Sequence, residues 1–109
     1  MKKHCLTLDL KNDEALIAEY KKYHKQIWPE ITESLINSGI KNAEIYCVEN
    51  RLFMILEVND DFSFEKKDKM DLENPKVQEW EKLMWKYQKK LPFAKKGEKW
   101  ILMEKIYQL

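Results

Sequence analysis

Apolar and polar residues alternate over residues 3–10, "KHCLTLDL", placing Leu6, Leu8 and Leu10 on one face and Cys5, Thr7 and Asp9 on the other. A period of two predicts a β-strand. Asn12-Asp13-Glu14 then supplies a capping residue and an acid for a helix start, and the period changes. Leu16, Tyr20, Tyr23, His24, Ile27, Trp28, Ile31 and Leu35 recur at spacings of three and four, the stripe of an amphipathic helix that Gly39 should stop. Pro29 lies inside that stripe and brings no amide hydrogen, so the spacing predicts a bend after Trp28 or a second helix with Pro29 at its first position.

Two further alternating runs follow, "AEIYCV" (43–48) and "RLFMILEV" (51–58), separated by Glu49-Asn50. They predict a hairpin, with Asn50 rather than Glu49 suited to a positive φ. Asn59-Asp60-Asp61 and Ser63 open a second helical region. It should restart at Pro75, carry Val77, Trp80, Met84 and Tyr87 or Gln88 on its apolar side, and end before Pro92. "FAKKGEK" reads as a loop, and "WILMEKIYQL" (100–109) as a last alternating strand with Trp100, Leu102, Glu104 and Ile106 on one face.

The order β-α-β-β-α-β predicts an α+β fold, a ferredoxin-like sheet in one domain spanning residues 1–109. Helices cover one face of such a sheet. The run 51–58 is apolar on both faces, with Leu52, Met54, Leu56 and Val58 on one and Phe53 and Ile55 on the other. An apolar open face must be covered, so a homodimer packed sheet against sheet, a dimeric α+β barrel, is expected.

Composition narrows the function. A formal net charge of +1 gives no global field for nucleic acid or an anionic membrane. "WKYQKKLPFAKKGEKW" interleaves lysines with aromatics, but the acids around it cancel its field, so no nucleic-acid partner is expected. No apolar run reaches the roughly 20 residues of a membrane span and the N-terminus lacks a signal-peptide core, so a cytoplasmic location without membrane attachment is expected. Cys5 and Cys47 have no paired spacing and read as free thiols. With two glycines and no phosphate-binding loop, nucleotide chemistry is not expected, and two histidines without metal-ligand spacing predict no metal. The aromatic content is high at four Trp, five Tyr and four Phe, which suits packing against the C–H faces of sugars.

Tyr20 and His24 stand four residues apart on one helical face, with Trp28 a further turn on if the helix continues. A packed ring bonded to a backbone carbonyl is the ordinary role of such a histidine. A hydroxyl, an imidazole and indoles together nevertheless make a partly polar pocket that an aliphatic core does not need.

The segments "EYKKYHKQIWPEI", "NAEIY", "NPKVQEW" and "EKIY" resemble the L-rhamnose mutarotase family from the first strand to the last. The most specific is the run Tyr20, His24, Ile27, Trp28, Pro29 and Glu30. This resemblance implies a homodimeric barrel that interconverts the α and β anomers of a 6-deoxy-sugar without a cofactor. It implies His24 as catalytic acid and Tyr20 and Trp80 as substrate-binding residues. Two departures bear on the sugar: Ala43 stands where the family has a tyrosine, and Trp80-Glu81 where it has a Trp-Trp pair. Trp85, one turn beyond Glu81, is expected to refill the lost surface, Trp28 to line the pocket, and Glu104 to serve as a second acid-base group or hydroxyl acceptor. The chain is also similar to a branch associated with L-fucose, so both sugars are expected substrates. Competing readings are a dimeric barrel that binds haem or acts as a cofactor-free monooxygenase, and a non-catalytic ligand-sensing module.

Overall fold

The computed structural model describes residues 2–109. It runs β1 (Lys2–Leu10), α1 (Glu14–Lys25), α2 (Pro29–Asn37), β2 (Ile40–Val48), β3 (Arg51–Val58), α3 (Phe64–Glu73), α4 (Pro75–Trp85), β4 (Gln88–Lys89) and β5 (Ile101–Leu102). Asp13 caps α1, its carboxylate accepting from the amides of Ala15 and Leu16 at 2.9 and 3.1 Å. The stripe beyond it breaks where proline requires. Trp28 is extended (φ −56°, ψ 133°), as a residue before proline tends to be, and Pro29 opens α2. Gly39, at φ +97°, takes the left-handed turn that closes α2. Asn74 caps α4 just ahead of Pro75 in the same manner.

The sheet is antiparallel in the order β2-β3-β1, and the free edge of β1 is shared by two short strands. β4 pairs with Asp9 and Leu10, and β5 with Leu6 and Thr7. Leu6, Leu8, Leu10, Leu52, Leu56 and Val58 are buried on the face that the helices cover, as the period of two predicted. The opposite face carries Cys5, Thr7, Phe53, Ile55, Tyr46 and Val48, and among the described residues no helix lies over it. Ferredoxin-like α+β architecture is therefore the fold.

Three expectations change. The last strand is two residues long rather than ten. Its final ladder bond runs from the Met103 amide to the Cys5 carbonyl at 2.7 Å, after which the chain leaves the sheet. Gln88 belongs to β4 and not to the preceding helix. The amides of Lys86 and Tyr87 tighten onto the carbonyls of Leu83 and Met84, which ends α4, and the Tyr87 carbonyl then accepts from Lys11 at 2.8 Å. In the hairpin, Glu49 and not Asn50 takes the positive φ, at 54°. Asn50 is engaged elsewhere: its side-chain amide donates to the Leu10 carbonyl and its own carbonyl accepts from the Leu10 amide.

Candidate active site

Between the sheet and α1, α2 and α4 lies a cavity of about 330 Å³, within the range that holds a small ligand. Tyr20, His24 and Trp80 line it, with Ala43, Met54, Leu56 and Gln88 among the other walls. α1 brings Tyr20 and His24 together one turn apart, their ring centres 4.3 Å from each other. α4 sets the indole of Trp80 edge-on to the imidazole at 5.7 Å.

The His24 ring is held in one orientation. Its Nδ1 lies 2.8 Å from the Tyr20 carbonyl oxygen, which can only accept, so Nδ1 carries the hydrogen and the lone pair of the neutral ring sits on Nε2. Burial pulls the His24 pKa below its usual value, against the opposing pull of that carbonyl. Burial likewise pushes the Tyr20 phenol up to about 12, with the Glu81 charge adding to the rise, so the hydroxyl stays protonated. Gln88 Nε2 donates to this hydroxyl at 3.3 Å.

The far wall is charged. Lys99 Nζ meets Glu81 Oε2 at 2.7 Å and stands 5.0 Å from the ring centre of Trp85. Lys67 Nζ meets Asp71 Oδ2 at 2.5 Å. Burial lowers the Lys99 pKa and raises that of Asp71, in each case outweighing the salt-bridge partner. These four residues and Trp100 also line a wider, more open cavity of about 830 Å³, so they form the boundary between the two spaces.

Of the expected site residues, His24, Tyr20 and Trp80 converge. Trp85 faces the outer cavity rather than the inner one. Trp28 stands behind Trp80, 5.1 Å from its ring, and lines neither cavity, because the break at Pro29 turns it away from the line of Tyr20 and His24. Glu104 is exposed in the segment after β5 and lines neither cavity, since the strand meant to carry it ends at Leu102. Sequence reasoning missed Lys67, Asp71, Gln88, Lys99 and Trp100 as lining residues. Gln88 gave no signal, being one polar residue beside Lys86, Lys89 and Lys90. The lysines gave none among so many.

A family model described as L-rhamnose mutarotase matches residues 3–109. This chain belongs to the L-rhamnose mutarotase family. It is accordingly a sugar mutarotase, an isomerase. An L-fucose mutarotase from Xanthomonas campestris is 40% identical over 111 residues, covering 100% of this chain and 89% of the relative. An L-rhamnose mutarotase from Listeria monocytogenes is 35% identical over 71 residues, covering 63% of this chain and 61% of the relative. Among solved structures, the L-rhamnose mutarotase of Formosa agariphila superimposes with a TM-score of 0.74 at 20% identity, covering 100% of this chain and 99% of the other. That likeness is one of fold. The haem and sensor readings find no support in these matches.

Proposed function

We propose that this mutarotase acts on a 6-deoxy-L-hexose, with L-fucose and L-rhamnose as the two candidates and His24 as its proton-transfer group. The arrangement that carries the proposal is the Nδ1 bond of His24 to Tyr20, which leaves Nε2 as the nitrogen available to a sugar in the cavity. A neutral imidazole there begins as a base. Nε2 takes the proton of the C1 hydroxyl, and the imidazolium so formed is the acid that protonates the ring oxygen as the bond from C1 to that oxygen breaks. The open-chain aldehyde rotates about C1–C2. The C5 hydroxyl then adds to the other face of the carbonyl, and its proton passes through the same nitrogen to the carbonyl oxygen, so no atom or electron is left over.

Such a positioned group typically contributes about 10²–10⁴-fold. Tyr20, protonated at all ordinary pH, donates to a sugar hydroxyl, and Trp80 packs against the C–H face. The match to the L-fucose relative spans the whole chain while that to the L-rhamnose relative spans part of it, which supports L-fucose as the preferred sugar. The active form in this proposal is a homodimer, supported by the uncovered sheet face on which Tyr46 is 54% and Val48 70% exposed. We place it in the cytoplasm, where Cys5 and Cys47 remain reduced thiols.

Saturation-transfer NMR of the anomeric protons of L-fucose and L-rhamnose, with wild type and His24→Ala, tests the reading. Exchange accelerated by the wild type and lost in the folded variant is expected. Equal rates with wild type and buffer on both sugars would overturn the sugar assignment, and equal rates with wild type and His24→Ala would overturn the role of His24.

A further inference from the structure

Gln88 is 4% exposed and lines the inner cavity, yet its side-chain amide is only half satisfied. Nε2 donates to the Tyr20 hydroxyl, while Oε1, fully buried, has no hydrogen-bond partner among the described residues. Turning the amide over does not remove the problem, because Tyr20 then satisfies Oε1 and leaves Nε2 alone. Proteins rarely keep a buried polar atom unpaired, since it loses its water and gains nothing in return. A leucine or methionine would fill the same space at no such cost. The backbone does not explain the choice either: β4 pairs with β1 through main-chain groups that any residue would supply.

The unpaired groups form a definite chemical pattern. Tyr20 accepts from Gln88, so its own hydroxyl hydrogen is left to donate, and Gln88 Oε1 is left to accept. A donor and an acceptor side by side fit an alcohol, which accepts through its oxygen and donates through its hydrogen. We propose that Gln88 is a substrate-binding residue whose Oε1 accepts a hydrogen bond from the C2 hydroxyl of the sugar, the same hydroxyl to which Tyr20 donates. This rests on the mutarotase reading and deepens it. The C2 position follows from the packing: the Tyr20 ring lies against that of His24, so a hydroxyl held by Tyr20 and Gln88 is a near neighbour of the carbon that reacts at His24.

The assignment makes Gln88 a determinant of specificity. The C2 hydroxyl is equatorial in L-fucose and axial in L-rhamnose, so one amide on one wall cannot serve both equally. Its energetic sign is also particular. In the empty protein the half-bonded amide is a burden on stability, and with sugar bound it becomes part of the attraction.

The test compares kcat/KM for anomer exchange on L-fucose and 2-deoxy-L-fucose by saturation-transfer NMR, using wild type, Gln88→Met and Gln88→Leu, with thermal melting of each protein without sugar. Wild type should prefer L-fucose by about 10-fold or more, the effect of one hydrogen bond to a buried amide. In either variant that ratio should fall towards one, and the Tm of the empty protein should hold or rise. A wild type that treats the two sugars alike overturns the proposal without any variant. So does a variant that slows both sugars in equal proportion, which would mark Gln88 as a packing residue. If wild type accelerates neither of these sugars nor L-rhamnose, the sugar reading falls and this proposal with it. If L-fucose exchange still depends on His24 while the deoxy ratio survives in Gln88→Met, only the role of Gln88 falls.

Discussion

The imidazole of His24 is bonded through Nδ1 to the carbonyl oxygen of Tyr20, one turn earlier in α1, at 2.8 Å. A side chain that accepts from nothing and donates to its own helix could be a packed core group. The ring also lines the inner cavity, and in the proposed mechanism its neutral Nε2 is the base that meets the sugar there. His24→Gln keeps roughly the size and a donor but loses the basic nitrogen that takes up and returns the proton. Anomer exchange should fall by about 10²-fold or more, while Tm moves by only a few degrees, measured by NMR exchange and circular dichroism on the same samples.

The same burial fixes a pH dependence. The His24 pKa lies below its usual 6.5 in the folded protein. Between the folded value and that of the unfolded chain, the unfolded chain binds more protons, so stability rises with pH across this window. The contribution is present above about 6.5 and is lost as the pH falls through the folded value. The activity of the neutral base follows the same titration. The acid limb of the exchange rate should therefore have its midpoint below 6.5, and a midpoint above that value in a pH–rate profile would contradict the burial of the ring.

Glu81 and Lys99 pair across the boundary between the two cavities, with Lys99 far more buried than Glu81 (side chains 13% and 40% exposed). Fully exposed pairs contribute about 0–1 kcal/mol, whereas breaking a buried one costs roughly 3–5 kcal/mol. This pair lies between. Glu81→Gln strands the more buried ammonium, so it should cost more than Lys99→Met, which strands a carboxylate that water still reaches. The double variant should recover much of either loss. Denaturant melts of the four proteins supply the cycle, and simple additivity would show that the two groups do not interact.

Much of this arrangement is legible in the sequence. The period of two gives β1 and β3, the spacing of three and four gives the stripe carrying Tyr20 and His24, and Pro29 and Pro75 mark helix starts because proline's missing amide is harmless there. The split edge is not legible. β4 and β5 share one edge of β1, and only long-range pairing assigns two residues to each, while the alternation of 100–109 looks the same whether or not a partner strand is available. For the same reason Glu104 was misplaced. Trp28 was misplaced by one broken turn, and Lys99 could not be singled out, since its role depends on a contact with Glu81 eighteen residues away.

The uncovered sheet face leads to the last prediction. β2 is an edge strand whose residues from Lys41 to Val48 are all exposed in the single chain, and Tyr46 and Val48 continue the apolar surface of Phe53 and Ile55 on β3. Beyond β5 the chain adds Ile106, Tyr107 and Leu109, each at least 75% exposed. The apolar area on that sheet face is unfavourable in water, and a second copy placed sheet to sheet removes it at about 25 cal/mol per Å² buried. A lysine in the middle of such a contact would face its symmetry mate across a dry interface, so Phe53→Lys should yield monomers at concentrations where the wild type is a dimer. Light scattering after size exclusion reads this directly. A wild type that elutes as a monomer at tens of micromolar would show that the open face is tolerated as it stands, and the dimer would have to be abandoned.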